Sequence, residues 1–146
     1  MTSVFRHILL ATDLTAASDR AQATATSLAS AFDARLTVVH VHEASPFAAA
    51  GSTLTGADLV GPSGEGAEAA LGQLIWRLRG SSIRAEGILR HGIAWEHIVC
   101  VAREVGADLI VTGTHGRHGI AHAYYGSVAE KVVQESSVPV LAVPQH

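Results

Sequence analysis

The chain has 146 residues, 48% of them hydrophobic, and a formal net charge of −3. This length predicts a single domain over residues 1–146, and the lack of a leader segment or of an apolar run of about 20 residues favours the cytoplasm over a membrane. The weak negative charge, without a cluster of Lys and Arg, argues against nucleic acid as a partner.

Two residue types are almost missing. Cys100 is the only cysteine and lies in an apolar segment, so we expect it to behave as a small hydrophobic residue. Lys131 is the only lysine, whereas a Walker-type phosphate loop requires a lysine next to its glycines. The sequence therefore excludes disulfide frameworks, cysteine-based metal sites and P-loop ATPases.

The first half of the chain alternates strands with helices. Val, Ile and Leu are dense in 5–11 and 36–41, which predicts two central strands, Phe5–Ala11 and Leu36–Val41. Between them, apolar residues at spacings of three and four predict a helix over Ser18–Phe32. The segment Ala44–Gly66 is rich in Gly, Ser, Ala and Thr and has no steady period, which predicts a long flexible loop.

The second half continues the alternation. Helical spacing over Glu65–Leu78 precedes a weakly alternating strand, Ile83–Leu89. A second helix, Trp95–Val105, leads into the strand Leu109–Thr112. The last helix is predicted over Val128–Gln134, and the last strand, over 138–143, lies beside prolines that suit an edge position.

This order of elements predicts an α/β fold: a three-layer α/β/α sandwich around a five-stranded parallel sheet of the open, doubly wound kind. Ligands bind such sheets in a crevice at the carboxyl ends of the strands, where the strand order switches. Asp13, Val41 and Gly113 are expected at these ends.

A glycine pattern follows the fourth strand. Gly113-Thr114-His115-Gly116 is followed, ten positions later, by Gly126-Ser127 at the expected start of the last helix. Glycine lets the backbone approach an anion closely, and free N–H groups at a helix start attract negative charge. A lone G-x-x-G more often makes only a tight connection, but the complete spacing favours a phosphate site.

With this motif the chain resembles the universal stress protein family, whose ATP-binding members carry G-2x-G-9x-G-(S/T) at this turn. The resemblance extends to 7–13 (HILLATD), 107–113 (ADLIVTG), 126–132 (GSVAEKV) and 138–143 (VPVLAV). It implies a fold like that of the adenine nucleotide α hydrolases, with ATP and Mg²⁺ as the expected ligand.

Carried over by position, the resemblance implies a role for each of ten residues. Thr12 and Asp13 are expected beside the ribose and adenine, the backbone of Val41 at the adenine edge, and Gly113 against the ribose. The phosphates are expected among six residues of the glycine turn and the next helix: His115, Gly116, Arg117, Gly126, Ser127 and Val128. On residue type alone, Asp13 is equally well explained as a helix-capping carboxylate.

Histidines offer a competing hypothesis. His115, His118 and His122 can approach one another if the spacer is helical, but no Cys or carboxylate completes a metal-ligand set, so solvated loop histidines are the simpler interpretation. His40 and His42 share one face of the second strand, and we expect them to be hydrogen-bonded against a neighbouring helix rather than catalytic.

Three functions stay open. The first is a nucleotide-responsive regulatory or stress-response module, as the resemblance implies; the second is a slow ATPase or phosphotransferase; the third is a nucleotide-free dimeric scaffold. Hydrolysis is disfavoured because Asp13 is the only clear carboxylate at the expected site. The family resemblance also implies a homodimer paired through the last strand, Val138–Val143.

Overall fold

A computed structural model describes residues 4–43, 64–114 and 122–145. Five parallel strands form one sheet in the order β3-β2-β1-β4-β5, which confirms the α/β class and the doubly wound arrangement. The strands are β1 (His7–Ala11), β2 (Arg35–His42), β3 (Ala85–His91), β4 (Leu109–Gly113) and β5 (Val140–Val143). As predicted, the first two strands are interior and the last is at an edge.

In the described residues, four helices cover the sheet: α1 (Asp19–Phe32), α2 (Gly64–Gly80), α3 (Ala94–Val105) and α4 (His122–Glu135). One turn of 3-10 helix, Ala16–Ser18, leads into α1. Because α2 begins at Gly64, the predicted flexible loop extended too far at its end, and residues 44–63 lie outside the described residues. None of the described helices is long and apolar enough to cross a membrane.

Two apolar clusters hold the helices against the sheet. On one face, alanines of α1 (Ala21, Ala25 and Ala29) and leucines of α2 pack on Ile8, Leu10 and Val38. On the other, α3 and α4 pack on Leu9, Val39 and Ile110. The small alanines let α1 approach the sheet closely, and burial of this kind contributes about 25 cal/mol per Å² of apolar surface.

The helices α3 and α4 also meet through charged and aromatic side chains. The ammonium group of Lys131, on α4, lies 5.2 Å from the ring centre of Trp95, on α3. Cys100 is exposed, contrary to the prediction, because its position falls outside the buried stripe of α3. Its thiol donates to the Glu104 carboxylate (3.4 Å), and this hydrogen bond raises the pKa of Cys100.

Polar groups at the amino ends of the strands are paired. The Asp108 carboxylate accepts from the backbone N–H groups of Arg6 (2.9 Å) and His7 (3.3 Å), and the buried His7 ring lies 2.7 Å from the Thr37 hydroxyl. Burial, with a smaller contribution from the Arg35 guanidinium, lowers the pKa of His7 below 6.5. At this end of the sheet, these polar groups bond to one another and so stabilise the fold.

Candidate functional site

A tight turn follows β1 and orients Asp13. One carboxylate oxygen, Oδ1, accepts three hydrogen bonds: from the Thr15 N–H (2.9 Å), the Thr15 hydroxyl (2.7 Å) and the Ser18 hydroxyl (2.7 Å). The Ser18 hydroxyl also accepts from the Asp13 N–H (3.1 Å). Hydroxyl residues two and five positions after an Asp thus fold the turn around one oxygen.

The other carboxylate oxygen of Asp13, Oδ2, has no such partners. It is buried and, within the described part of the chain, accepts no hydrogen bond. An unsatisfied buried acceptor costs about 1–3 kcal/mol, more when it is charged. The turn therefore fixes the carboxylate with one oxygen and leaves the other able to bind a donor.

Thr12 is buried, and all three of its polar groups are hydrogen-bonded. Its N–H donates to the Val39 carbonyl (3.0 Å), its carbonyl lies 2.9 Å from Nδ1 of His40, and its hydroxyl accepts from the Leu14 N–H (3.0 Å). Leu14 has φ 62°, a left-handed conformation that is uncommon for a leucine. Backbone strain of this kind concentrates at functional sites.

Asp13 and Gly113 lie on the two sides of the switch in strand order. β1 pairs with β2 on one side and with β4 on the other, where Ala11 lies opposite Thr112. Gly113 ends β4, and the next N–H, of Thr114, donates to the Val143 carbonyl at 3.0 Å. The carboxyl ends of β1 and β4 thus flank the crevice that parallel sheets of this kind offer to ligands.

The backbone of Val41 faces the space beyond the end of β1. Alternate residues of a strand direct their N–H and C=O groups to the same neighbouring strand. Val39 bonds on the β1 side, to Thr12, whereas the His42 carbonyl bonds on the β3 side, to Gly92 (3.1 Å). Val41, two residues after Val39, therefore points its backbone groups to the β1 side, beyond the last ladder bond there.

The expected phosphate side is only partly described. His115, Gly116, Arg117 and His118 lie outside the described residues, so their predicted roles stay predictions. The helix α4 begins by His122, not at Gly126 as predicted, because 122–125 contain no proline or β-branched residue to stop it.

This earlier start changes which backbone groups are free. The free N–H groups of a helix belong to its first turn, so in α4 they precede Gly126 and Ser127, whose N–H groups lie within the helix. Val128 is half-buried and packs on the core cluster beneath α3 and α4. Its N–H also lies within α4, so Val128 offers no free backbone donor of the kind predicted.

Several residues of the site were missed by sequence reasoning. Thr15 and Ser18 hold the Asp13 carboxylate, and the repeated hydroxyls after Asp13 were the available signal. Glu43 accepts from the Ala94 N–H (2.7 Å) and so caps α3 from the end of β2. His40, which was expected to bond to a helix, has its Nδ1 2.9 Å from the Thr12 carbonyl at the end of β1.

Two other features can be compared with this site. A shallow arginine-lined depression lies at the opposite, amino end of the sheet, but Arg35 pairs with Glu86 (3.3 Å) and Arg84 with Asp33 (3.5 Å). Among the residues that the structure describes, no group of three or more His, Cys, Asp or Glu side chains can hold a metal ion. The turn after β1 is therefore the better candidate.

Comparisons with known proteins agree with this architecture. A model of the universal stress protein family matches residues 5–144. A universal stress protein of Methanocaldococcus jannaschii is 32% identical over 97% of this chain and 83% of its own length.

Two solved structures share the fold, each 25% identical to this chain. A universal stress protein in complex with cAMP has a TM-score of 0.70 and covers 97% of this chain and 98% of its own. An Archaeoglobus fulgidus universal stress protein in complex with dAMP has a TM-score of 0.64, with coverage of 96% and 98%. With a family model spanning nearly the whole chain, this protein belongs to the universal stress protein family.

Proposed function

We propose that this protein binds an adenine nucleotide, ATP in particular, at the carboxyl ends of β1, β2 and β4, and acts as a nucleotide-responsive regulatory module. The observation that carries the proposal is the free oxygen of Asp13: Oδ1 is saturated, while the buried Oδ2 has no described partner. The hydroxyl and amino groups of a nucleoside are donors of the kind that this oxygen lacks.

Two backbone features support an adenine nucleotide. The Val41 N–H and C=O face the space beyond β1, where they can pair with the donor and acceptor edge of an adenine ring. Gly113, without a side chain, lets a ribose approach the end of β4. The two similar structures carry cAMP and dAMP, which share the adenine ring and differ in their sugar and phosphate.

The phosphate part of the proposal rests on the glycine motif. We assign the triphosphate to the turn after β4 and the start of α4, with Mg²⁺ carried on the phosphates. A guanidinium group suits phosphate oxygens because it donates two parallel hydrogen bonds, which supports Arg117 as a partner. The residues predicted on this side are His115, Gly116, Arg117, Gly126, Ser127 and Val128. The N–H groups of the last three lie within α4, but Ser127 still offers a hydroxyl donor.

The proposal is tested by replacing Asp13 with Asn. Calorimetric titration of the purified protein with ATP and Mg²⁺ gives the reference affinity. Asp13→Asn keeps an acceptor for Thr15 and Ser18 but loses the charged acceptor, and hydrogen bonds to charged groups are worth about 1.5–3 kcal/mol. We expect affinity to fall about 10- to 100-fold while the protein stays folded.

Asp108→Asn is the matched control, because Asp108 also accepts from neighbouring groups but lies at the amino end of the sheet. Its ATP affinity should equal that of the wild type. A wild-type protein that ignores ATP, or an Asp13→Asn variant with unchanged affinity, contradicts the proposed site. The first of these results favours the nucleotide-free scaffold.

We also propose a homodimer paired through the last strand, Val138–Val143. β5 is an edge strand, with Leu141 37% exposed and Ala142 exposed beside it. An uncharged edge strand is a template for pairing with another chain, and a second copy buries it.

Sedimentation at micromolar concentration checks the pairing. The wild type should be dimeric, and Leu141→Glu should shift it to monomer because it places a charge on the paired edge. Val4→Glu, at an apolar position that is 71% exposed elsewhere on the chain, should leave the dimer intact. A monomeric wild type refutes the pairing.

A further inference from the structure

We infer that His40 is a positioning residue of the nucleotide site: its imidazole holds the Thr12 carbonyl and thereby sets the direction of the Asp13 carboxylate. The inference rests on the proposed function, and it concerns a side chain that need not touch the ligand. It links a fully buried residue of β2 to the turn after β1.

The burial of His40 needs an explanation. The side chain is 0% exposed and follows Leu36 and Val38 on the same face of β2, both of which pack in the core of α1 and α2. An aliphatic residue satisfies such a position without cost, whereas a buried imidazole is stable only when it is hydrogen-bonded. We therefore look for the role of His40 in the hydrogen bonds that its ring makes.

One of these hydrogen bonds joins the His40 ring to the turn after β1. Nδ1 of His40 lies 2.9 Å from the Thr12 carbonyl oxygen. A carbonyl oxygen only accepts hydrogen bonds, so Nδ1 carries the proton and donates it. The contact joins two residues 28 positions apart and lies directly after the last β1–β2 ladder bond, from the Thr12 N–H to the Val39 carbonyl.

This contact extends the order of the sheet into the turn. The ladder fixes the Thr12 N–H, and His40 fixes the carbonyl of the same residue, so the peptide that joins Thr12 to Asp13 is held from β2. That peptide leads directly to the strained Leu14, whose φ is 62°. A residue in such a conformation persists only when its surroundings hold it in place.

The consequence for binding is preorganisation. Binding is weakened by the cost of ordering the groups that contact the ligand, and a turn that is already fixed avoids that cost. Without the His40 donor, Thr12 is tied to β2 only by its N–H, so the turn can shift relative to β2 and carry the Asp13 carboxylate with it. The affinity for ATP should then fall although every contacting group is still present.

A matched pair of substitutions separates this role from a role in packing. His40→Asn places an amide N–H close to the position of Nδ1 but removes the rest of the ring, including Nε2. His40→Leu fills the core but has no donor, and His40→Met serves as a second apolar replacement. ATP affinity is measured by calorimetry, and stability by urea unfolding, for all three variants.

We expect the two apolar variants to bind ATP about tenfold more weakly, the value of one net hydrogen bond, and His40→Asn to bind within about threefold of the wild type. His40→Asn should also be the least stable, because it leaves a cavity. Affinity that follows stability, with the Asn variant the weakest binder, overturns the inference. So does wild-type affinity in the apolar variants.

A measurement without nucleotide keeps this inference separate from the proposed function. The N–H groups of Leu14 and Thr15 are bonded inside the turn, and their hydrogen exchange can be followed by NMR. Exchange should be faster in His40→Leu and near wild type in His40→Asn, while the Arg6 N–H, bonded to Asp108, serves as the control. Unchanged exchange in His40→Leu refutes the positioning role even if the wild type binds no ATP.

Discussion

The two ends of the sheet differ in how completely their polar groups are hydrogen-bonded. At the amino end, the carboxylate of Asp108 uses both oxygens, and Arg35 and Arg84 each pair with a carboxylate. At the carboxyl end, hydrogen bonding is incomplete. Across residues 4–43, 64–114 and 122–145, three buried side-chain atoms lack a hydrogen-bond partner: Asp13 Oδ2, His42 Nδ1 and Arg90 Nε.

Asp13 follows β1, His42 ends β2 and Arg90 is the penultimate residue of β3, which places all three at the carboxyl side of the sheet. The backbone shows the same division. The left-handed residues at the amino end, Asp33, Ser82 and Gly106, follow helices, where this conformation is a common way to end.

At the carboxyl end, Leu14 (φ 62°) and Gly92 (φ 138°) follow strands instead. At the amino end, which serves only folding, the described polar groups are hydrogen-bonded and the left-handed residues end helices. At the carboxyl end, where a ligand is expected to bind, buried polar atoms lack partners and left-handed residues follow strands.

The largest effect is expected from a substitution at the strained residue Gly92. Gly92→Ala should lower the free energy of unfolding by about 1–3 kcal/mol, because φ 138° belongs to a region that only glycine adopts readily. The new Cβ would also lie 2.7 Å from Nε2 of His97, so that ring must move. Urea unfolding measures the loss.

Gly106→Ala is the matched change at the amino end. Gly106 has φ 69°, and a Cβ there meets nothing within 4 Å, so we expect a loss of about 1 kcal/mol. An equal or greater loss at Gly106 would show that the two ends are strained alike and would break the comparison.

A smaller effect concerns pH at the amino end. The pKa of the buried His7 is lowered below 6.5, so the unfolded chain takes up this proton at a higher pH than the folded protein does. Stability contributed by neutral His7 is therefore complete above pH 6.5 and is lost as pH falls through the folded pKa. Urea midpoints measured at several pH values should decrease over this window.

His7→Gln supplies the comparison, because a glutamine has a donor for the Thr37 hydroxyl but no titrating group. The difference between wild type and variant removes the contribution of the other histidines. Identical pH profiles would show that His7 titrates alike in the folded and unfolded chains.

Much of the fold follows from local pattern. The apolar runs predicted all five strands, the interior place of the first two and the edge place of the last, and the rule for parallel sheets correctly placed Asp13 and Gly113 at the switch in strand order. These predictions succeed because strand and helix periods are set by neighbouring residues.

The details of the site depend on more distant contacts. That His40 meets the Thr12 carbonyl depends on the register of β1 against β2, and no local pattern encodes it. Which oxygen of Asp13 stays free depends on the path of the turn to Ser18. The start of α4 was misplaced because the glycine pattern was taken as a helix boundary, whereas a helix tolerates one glycine.

The two outer strands of the sheet, β3 and β5, differ in the charge that they expose. The β3 edge carries charged, exposed groups, among them Glu86 (side chain 59% exposed) and Arg90 (37%), whereas β5 exposes Leu141 and Ala142. Charges on an outer strand oppose the addition of another chain. If the proposed pairing through β5 forms, we therefore expect it to close at two copies and not to propagate into a ribbon of sheets.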